Sequence, residues 1–256
     1  MPLYDRPVRL LMKDMAEELL PSDDSIVTKN EAIAWFQRRY PKIKTGTVTA
    51  HLIKLSTNAH SRTHYHAKPG DDDVLYQMDG SRFRRYAPGR DPAPIYEAPV
   101  RAETRSIPEG EDEDESEPSG RANGEFAYET DLRNYLVKNL NALELGLRLY
   151  EEEGINGVEF PVGGRFIDIL AVDQQGGFVV IELKVSRGYD RVVGQLMRYV
   201  AWVKKNLAET GQSVRGIIVA RQISEDLLLA CSMVPNVELF EYELSLSLRK
   251  VNENAL

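Results

Sequence analysis

The sequence predicts a two-part α/β chain: a small helical module closed by a β-hairpin, then a mixed β-sheet flanked by helices. Three observations predict it. Apolar residues recur at helical spacing in the first 56 residues and give way to two short β-rich runs joined by Asp79-Gly80. Residues 158–184 hold apolar, β-branched runs either side of Gln174-Gln175-Gly176-Gly177, a hairpin signal. Between these parts, Pro108 to Gly120 is a block of acids with no apolar periodicity, which reads as a solvated tether. The expected division is a module at 1–96, an acidic linker at 97–124 and a second module at 125–256.

The net charge of −8 argues against a nucleic-acid binder until it is divided. Residues 1–100 carry 15 Lys/Arg against 13 Asp/Glu, 101–124 carry 3 against 8, and 125–256 carry 14 against 19. Ser25 to Gly70 alone has eight basic residues and one acid, Glu31. A basic patch is therefore masked by the acidic middle. The lone cysteine, Cys231, excludes an internal disulfide. No apolar run approaches the roughly 20 residues of a membrane helix, and Met1-Pro2-Leu3-Tyr4-Asp5-Arg6 lacks a signal-peptide pattern. Cytoplasmic placement with no membrane partner is expected.

In the first module, Leu10, Leu11, Met15, Leu19 and Leu20 mark a helix over 8–20, ended by Pro21-Ser22-Asp23-Asp24. Thr28 with Glu31 forms a capping box for a helix over 29–39. Pro41 to Gly46 is a basic turn containing Lys42 and Lys44. Thr45 or Thr47 can cap a third helix over 48–56, burying Val48, Leu52 and Leu55 and exposing Thr49, His51 and Lys54. A polar loop with His60, His64 and His66 fits no zinc spacing. Strands over 73–78 and 82–86 follow. This order is that of a winged helix-turn-helix. Its turn and third helix would enter a DNA groove. Its hairpin, with Arg82, Arg84 and Arg85, would lie on phosphates. A structural module with a solvated basic face is the alternative.

In the second module a helix is expected over 125–139, with Phe126, Leu132, Tyr135, Leu136 and Leu140 on one stripe. Strands are expected over 145–150 and 158–161 with a loop between, then the hairpin strands, a helix over 189–209, a strand over 214–220, a helix over 225–233 capped by Ser224, and a strand over 237–246. Gln195, Tyr199 and Trp202 share a helix face.

Three charges interrupt the hairpin's apolar strands: Asp168, Glu182 and Lys184. Ionisable groups there are costly without partners. Glu182 and Lys184 are two apart and point to the same face, and Asp168 can approach them across the turn. Two carboxylates and an ammonium suit a divalent metal beside a phosphate. A structural salt bridge is the alternative.

The arrangement Gly164-Arg165-x-Ile167-Asp168, an apolar run, Glu182-Leu183-Lys184, then Gln195 and Tyr199, resembles the nuclease core of the PD-(D/E)xK superfamily, most closely the catalytic domain of the NucS/EndoMS type, over roughly residues 125–242. The resemblance implies a restriction-endonuclease-like mixed sheet with the site at its edge. It implies Asp168, Glu182 and the Leu183 backbone carbonyl as ligands of Mg²⁺ or Mn²⁺, with Lys184 orienting water. It also implies roles for Glu129 as base or second-metal ligand, for Gln195 and Tyr199 near the metal, and for Arg165 on phosphate. Glu125 and Asp131 compete with Glu129. DNA is the implied partner, and homodimerisation would let both strands be cut. Two departures stand out. Ile167 occupies the superfamily's proline position, as is usual in the NucS-like branch, and a winged-helix candidate replaces the β-rich N-terminal domain of NucS. The reading is a metal-dependent endodeoxyribonuclease of restriction or repair type. Alternatives are a mismatch- or branched-DNA-specific enzyme, an RNA-directed nuclease, or a non-catalytic DNA-binding protein on the same scaffold.

Overall fold

The computed structural model describes residues 4–97, 122–184 and 191–243, with the backbone alone over 122–128. Nearly all of the expected acidic linker, and the segments 185–190 and 244–256, lie outside the described residues.

The N-terminal module runs α1 (Val8–Leu19), β1 (Val27–Thr28), α2 (Lys29–Arg39), α3 (Thr45–Leu55), a 3-10 segment (His60–Tyr65), β2 (Leu75–Gln77) and β3 (Arg82–Arg85). The strands pair antiparallel in the order β1-β3-β2. Three helices closed by this small sheet are the winged helix-turn-helix arrangement. Thr28 caps α2: its hydroxyl accepts from the Glu31 amide, and the Glu31 carboxylate accepts from the Thr28 amide. Leu11, Met15, Trp35, Phe36, Leu52 and Phe83 pack one core. The β1 strand and the 3-10 segment have no counterpart among the expected elements.

The C-terminal module contains α4 (Ala122–Lys138), a 3-10 turn (Leu140–Ala142), β4 (Arg148–Leu149), β5 (Glu151–Glu152), β6 (Ile155–Asn156), β7 (Val158–Val162), β8 (Arg165–Val172), β9 (Phe178–Lys184), α5 (Val192–Asn206), β10 (Val214–Ala220), α6 (Glu225–Ser232) and β11 (Val237–Glu241). The sheet runs β11-β10-β9-β8-β4, and β7 shares the outer edge of β8 with β4. The pairs β9–β10 and β10–β11 are parallel, whereas β8 is antiparallel to its neighbours. The expected mixed sheet with flanking helices is thus present. The stretch expected as a loop over 151–157 is instead the β5–β6 hairpin.

Strand alternation sorts the sheet's side chains to two layers. Val179, Ile181, Leu183, Ile217 and Val219 meet Leu132 and Leu136 of α4. Phe178, Val180 and Ile218 meet Val192, Leu196, Tyr199 and Val203 of α5. The second layer does not stop at the module boundary. Ala50 and Ile53 of α3, with Ala59 and Tyr65, belong to the same cluster. At this seam α3 meets α5: a Cβ on Gly46 would stand 2.4 Å from a Leu207 methyl, so any larger residue would force the Leu207 side chain to move.

Candidate active site

The β8–β9 ladder runs from Val172↔Phe178 to Ile169↔Ile181. At the next step the backbones part, and the Asp168 carboxylate accepts from the Leu183 amide at 2.8 Å. A side chain therefore takes the place of a ladder carbonyl. Alternation along β8 also breaks here. Ile169 and Ala171 face α4, but Ile167 packs in the α5 layer with Leu170. The strand ends its regular pairing where the sequence places a carboxylate.

Glu182 lies on β9 in the α5 layer and is 2% exposed. The Gln195 amide donates to its Oε1 at 2.5 Å, and Lys184 Nζ stands 3.9 Å from the same oxygen. Its Oε2 is buried and has no hydrogen-bond partner among the described residues. Gln195 also reaches the Tyr199 hydroxyl at 3.3 Å. Burial, then the mutual repulsion of the two acids, raises the Glu182 pKa. Burial likewise raises that of Asp168, with Glu129 adding to it. Glu129, half-buried on α4, is also raised by burial and feels the Lys184 and Arg133 cations. Asp168, Glu182, Lys184, Gln195, Tyr199 and Glu129 therefore share one neighbourhood. Among the described residues no group of three or more His, Cys, Asp or Glu side chains converges as a metal cage. The hard donors gathered here are the Asp168 and Glu182 carboxylates, and Glu182 has an oxygen unspent. The Glu125 side chain lies outside the described residues.

Residues 128–241 match the family described as the endonuclease NucS C-terminal domain. This part of the chain is similar to that domain. Residues 7–85 match a domain of unknown function (DUF7669). Endonuclease NucS of Pyrococcus abyssi is 34% identical over 98 residues, which are 38% of this chain and 35% of that protein. Endonuclease NucS 2 of Halobacterium salinarum is 41% identical over 101 residues, 40% of this chain and 36% of that protein. The chain thus spans about a third of the length of these curated relatives. Among solved structures, a repair endonuclease from Pyrococcus abyssi is 28% identical, with a TM-score of 0.38 over 52% of this chain and 50% of that one. An EndoMS–dsDNA complex is 25% identical, with a TM-score of 0.38 over 52% and 49%.

The residues expected to bind DNA are placed differently. Most of α3 is buried, between its own module's core and the C-terminal module. Thr47 donates to Glu152 at 2.8 Å, Thr49 to the Thr45 carbonyl at 3.0 Å, and Lys54 to the Gly154 carbonyl at 3.0 Å. His51, fully buried, bonds the Thr47 carbonyl at 2.8 Å. Lys44 pairs with Glu209 at 2.8 Å. The expectation that α3 and these residues enter a groove is corrected: helical spacing showed which residues leave the N-terminal core, and that face is taken by the second module. The wing arginines have partners within their own module. Arg84 pairs with Asp91 at 2.7 Å and stacks on Tyr76, and Arg85 donates to the Leu20 and Ala16 carbonyls at 2.5 and 3.0 Å. Arg82 is half-exposed and pairs with Asp79 of its own turn at 2.6 Å. Lys42 is exposed beside the half-buried Thr45. Arg165 is exposed at the β7–β8 turn and lines a small cleft with Lys29 and Gly80 of the N-terminal module.

Two charged residues around the acids escaped the sequence reading. Arg133, 7% exposed, follows Glu129 by one helical turn and pairs with Glu159 at 2.8 Å. Both had a readable signal. Arg133 is at i+4 from Glu129, and Glu159 is an acid inside the apolar run Val158–Val162, the same anomaly that singles out Asp168.

Proposed function

We propose that this chain is a metal-dependent endonuclease that hydrolyses DNA phosphodiester bonds, with Asp168 and Glu182 as ligands of Mg²⁺ or Mn²⁺. The observation that carries the reading is Glu182: a buried carboxylate beside a second buried acid, held from one side by Gln195 and with an oxygen left over. Without a cation, burial and then the repulsion between neighbouring acids raise the pKa values of such a pair. Hard oxygen donors in this number are what these ions take from a protein when substrate and water supply the rest. The similarity to proteins named endonuclease NucS supports an endonuclease activity.

Asp168 and Glu182, joined by the Leu183 backbone carbonyl, would hold the ion. When bound, the ion supplies a more acidic water and neutralises charge that develops on the phosphate. Lys184 sits one strand step beyond Glu182 on the same face, so its ammonium orients the attacking water or meets the phosphate oxygens. Gln195 fixes the Glu182 rotamer and leaves Oε2 without a protein partner among the described residues, so that it could ligate the ion. Tyr199 supports Gln195. Glu129, raised by burial, is poised to take a proton from water. Arg165, exposed at its turn, contacts the DNA backbone. A homodimer would bring two such sites to opposite strands.

The test is cleavage of plain, mismatched and branched duplexes with Mg²⁺ or Mn²⁺ by the wild type, Asp168→Asn and Glu182→Gln. Each substitution should lower the rate by about 10³-fold. A second readout needs no substrate: Mn²⁺ should raise Tm of the wild type and leave that of Glu182→Gln unchanged. Equal cleavage by wild type and both variants, or no cation-dependent shift, would reject the reading.

A further inference from the structure

We infer that Glu159 is a positioning residue of this site: the N-terminal module holds its carboxylate, and through it Arg133 and the α4 face that bears Glu129, against the Asp168–Glu182 pair. The inference rests on the nuclease reading for its kinetic consequence and on geometry for its structural one.

The β7–β8 register pairs Val158 with Ile169 and Phe160 with Ile167, and passes over the step between. At that step Glu159 stands across from Asp168. Its backbone is left-handed, with φ 45°, inside an otherwise extended strand. A non-glycine residue is seldom found there, and such conformations persist only where the surroundings over-determine them. Here the surroundings come from the other module. The Tyr65 hydroxyl donates to the Glu159 carbonyl at 3.0 Å. The Ser61 hydroxyl donates to Oε2 at 3.0 Å, and His64 Nε2 stands 3.3 Å from the same atom. All three belong to the 3-10 segment that follows α3. The remaining oxygen, Oε1, takes the Arg133 guanidinium at 2.8 Å.

Arg133 is only partly satisfied by that pair. It is buried, and its Nε has no partner among the described residues. It also acts on Asp168 and Glu129 as a neighbouring positive charge. With Glu159 in place, the guanidinium is drawn to the β7 side and α4 is tied down one turn from Glu129. Without the Glu159 charge, Arg133 is free to turn to Asp168 or Glu129, competing with a cation for the same carboxylates, and α4 loses its tether. The chain of contacts is therefore Ser61 and His64, Glu159, Arg133, then the α4 face of Glu129. The N-terminal module contributes to the site by holding a residue of the C-terminal module, and not by the groove-reading helix its topology suggests.

The variants are Glu159→Gln, Ser61→Ala, Arg133→Met and the double Glu159→Gln/Arg133→Met, made in the full chain. Steady-state cleavage should show kcat lowered about tenfold in Glu159→Gln with KM for DNA within about twofold, the signature of misplaced machinery. Ser61→Ala, which keeps the carboxylate, should lower kcat about two- to threefold and serves if the glutamine variant folds poorly. The double variant should be no worse than the poorer single one, because one chain of contacts is broken twice. Hydrogen exchange gives a readout that needs no activity: amides of 129–138 should exchange about tenfold faster in Glu159→Gln and faster in Ser61→Ala, with β9 and β10 unchanged. Unchanged α4 exchange in both variants, or additive losses in the double variant, would overturn the inference. If the wild type cleaves no DNA, the nuclease reading fails by itself, and the exchange experiment still decides whether Glu159 holds α4.

Discussion

His51 lies on the face of α3 that helical spacing marks as exposed, yet none of its surface reaches water. Desolvation lowers its pKa from the ordinary 6.5 to about 4. Between those values the unfolded chain binds a proton that the folded chain does not. Stability from this residue is therefore complete above about pH 6.5 and is lost as pH falls toward 4. The loss reaches roughly 3 kcal/mol, by the conversion of about 1.4 kcal/mol per pKa unit. Urea midpoints at pH 7.5 and 4.5 should fall less for His51→Gln than for the wild type; equal falls would assign the pH dependence to other groups. At this scale the sequence was most legible where charge met apolar surroundings. Asp168, Glu182 and Lys184 stand out because nothing in a buried strand justifies a charge except a partner. Gln195 and Tyr199 became readable through the resemblance alone, since a polar residue on an amphipathic helix face is unremarkable by itself. Glu159 gave the same signal as Asp168, but its partners lie 94 to 98 residues away in a segment read as a polar loop.

The wing is an element in which two of three arginines, Arg84 and Arg85, turn inward. Arg85 donates to the Leu20 carbonyl, past the last helical hydrogen bond of α1, and to the Ala16 carbonyl, which also takes the Leu20 amide. Arg85→Ala should lower unfolding stability by about 1–2 kcal/mol, because buried acceptors lose a charged donor. The slope of log affinity for duplex DNA against log salt should not change, whereas loss of a true phosphate contact would reduce it by about 1. A measurable drop in that slope would return the wing to the DNA surface. The order and type of the N-terminal helices followed from spacing and the Thr28 capping box, and the hairpin from its Asp-Gly turn. The strands β1, β4, β5 and β6 have two residues each, too short for a period to register. The two faces of β9 were legible from parity alone, but the break in alternation at Asp168 depends on how β7, β8 and β9 splay, which no single strand encodes.

The whole molecule is held by a seam in which α3 leans on α5 at Gly46. A valine there would drive a branched side chain into Leu207 and the Trp202 ring. Gly46→Val should cost about 1–3 kcal/mol, the usual range for overpacking, and should speed tryptic cleavage within 129–138 if the two modules part. Unchanged proteolysis with unchanged Tm would mean that the seam closes by some other contact. Nothing in the linear order links residue 46 to residue 207. The charge segregation that made the N-terminal module look like a DNA reader is equally satisfied by Lys44 with Glu209 and Lys54 with the Gly154 carbonyl.

That shared interior has a consequence for how such a chain can be divided. Tyr65, Ala50 and Ile53 lie in one oily layer with Tyr150, Phe160 and Leu207. The acid-rich middle looks like a natural place for scissors, but a trailing half released there would carry bare hydrocarbon where its companion had been and would seek another surface to cover it. Any exchange of the leading half for a foreign one would have to bring a matching notch for Leu207 and a new set of hands for Glu159.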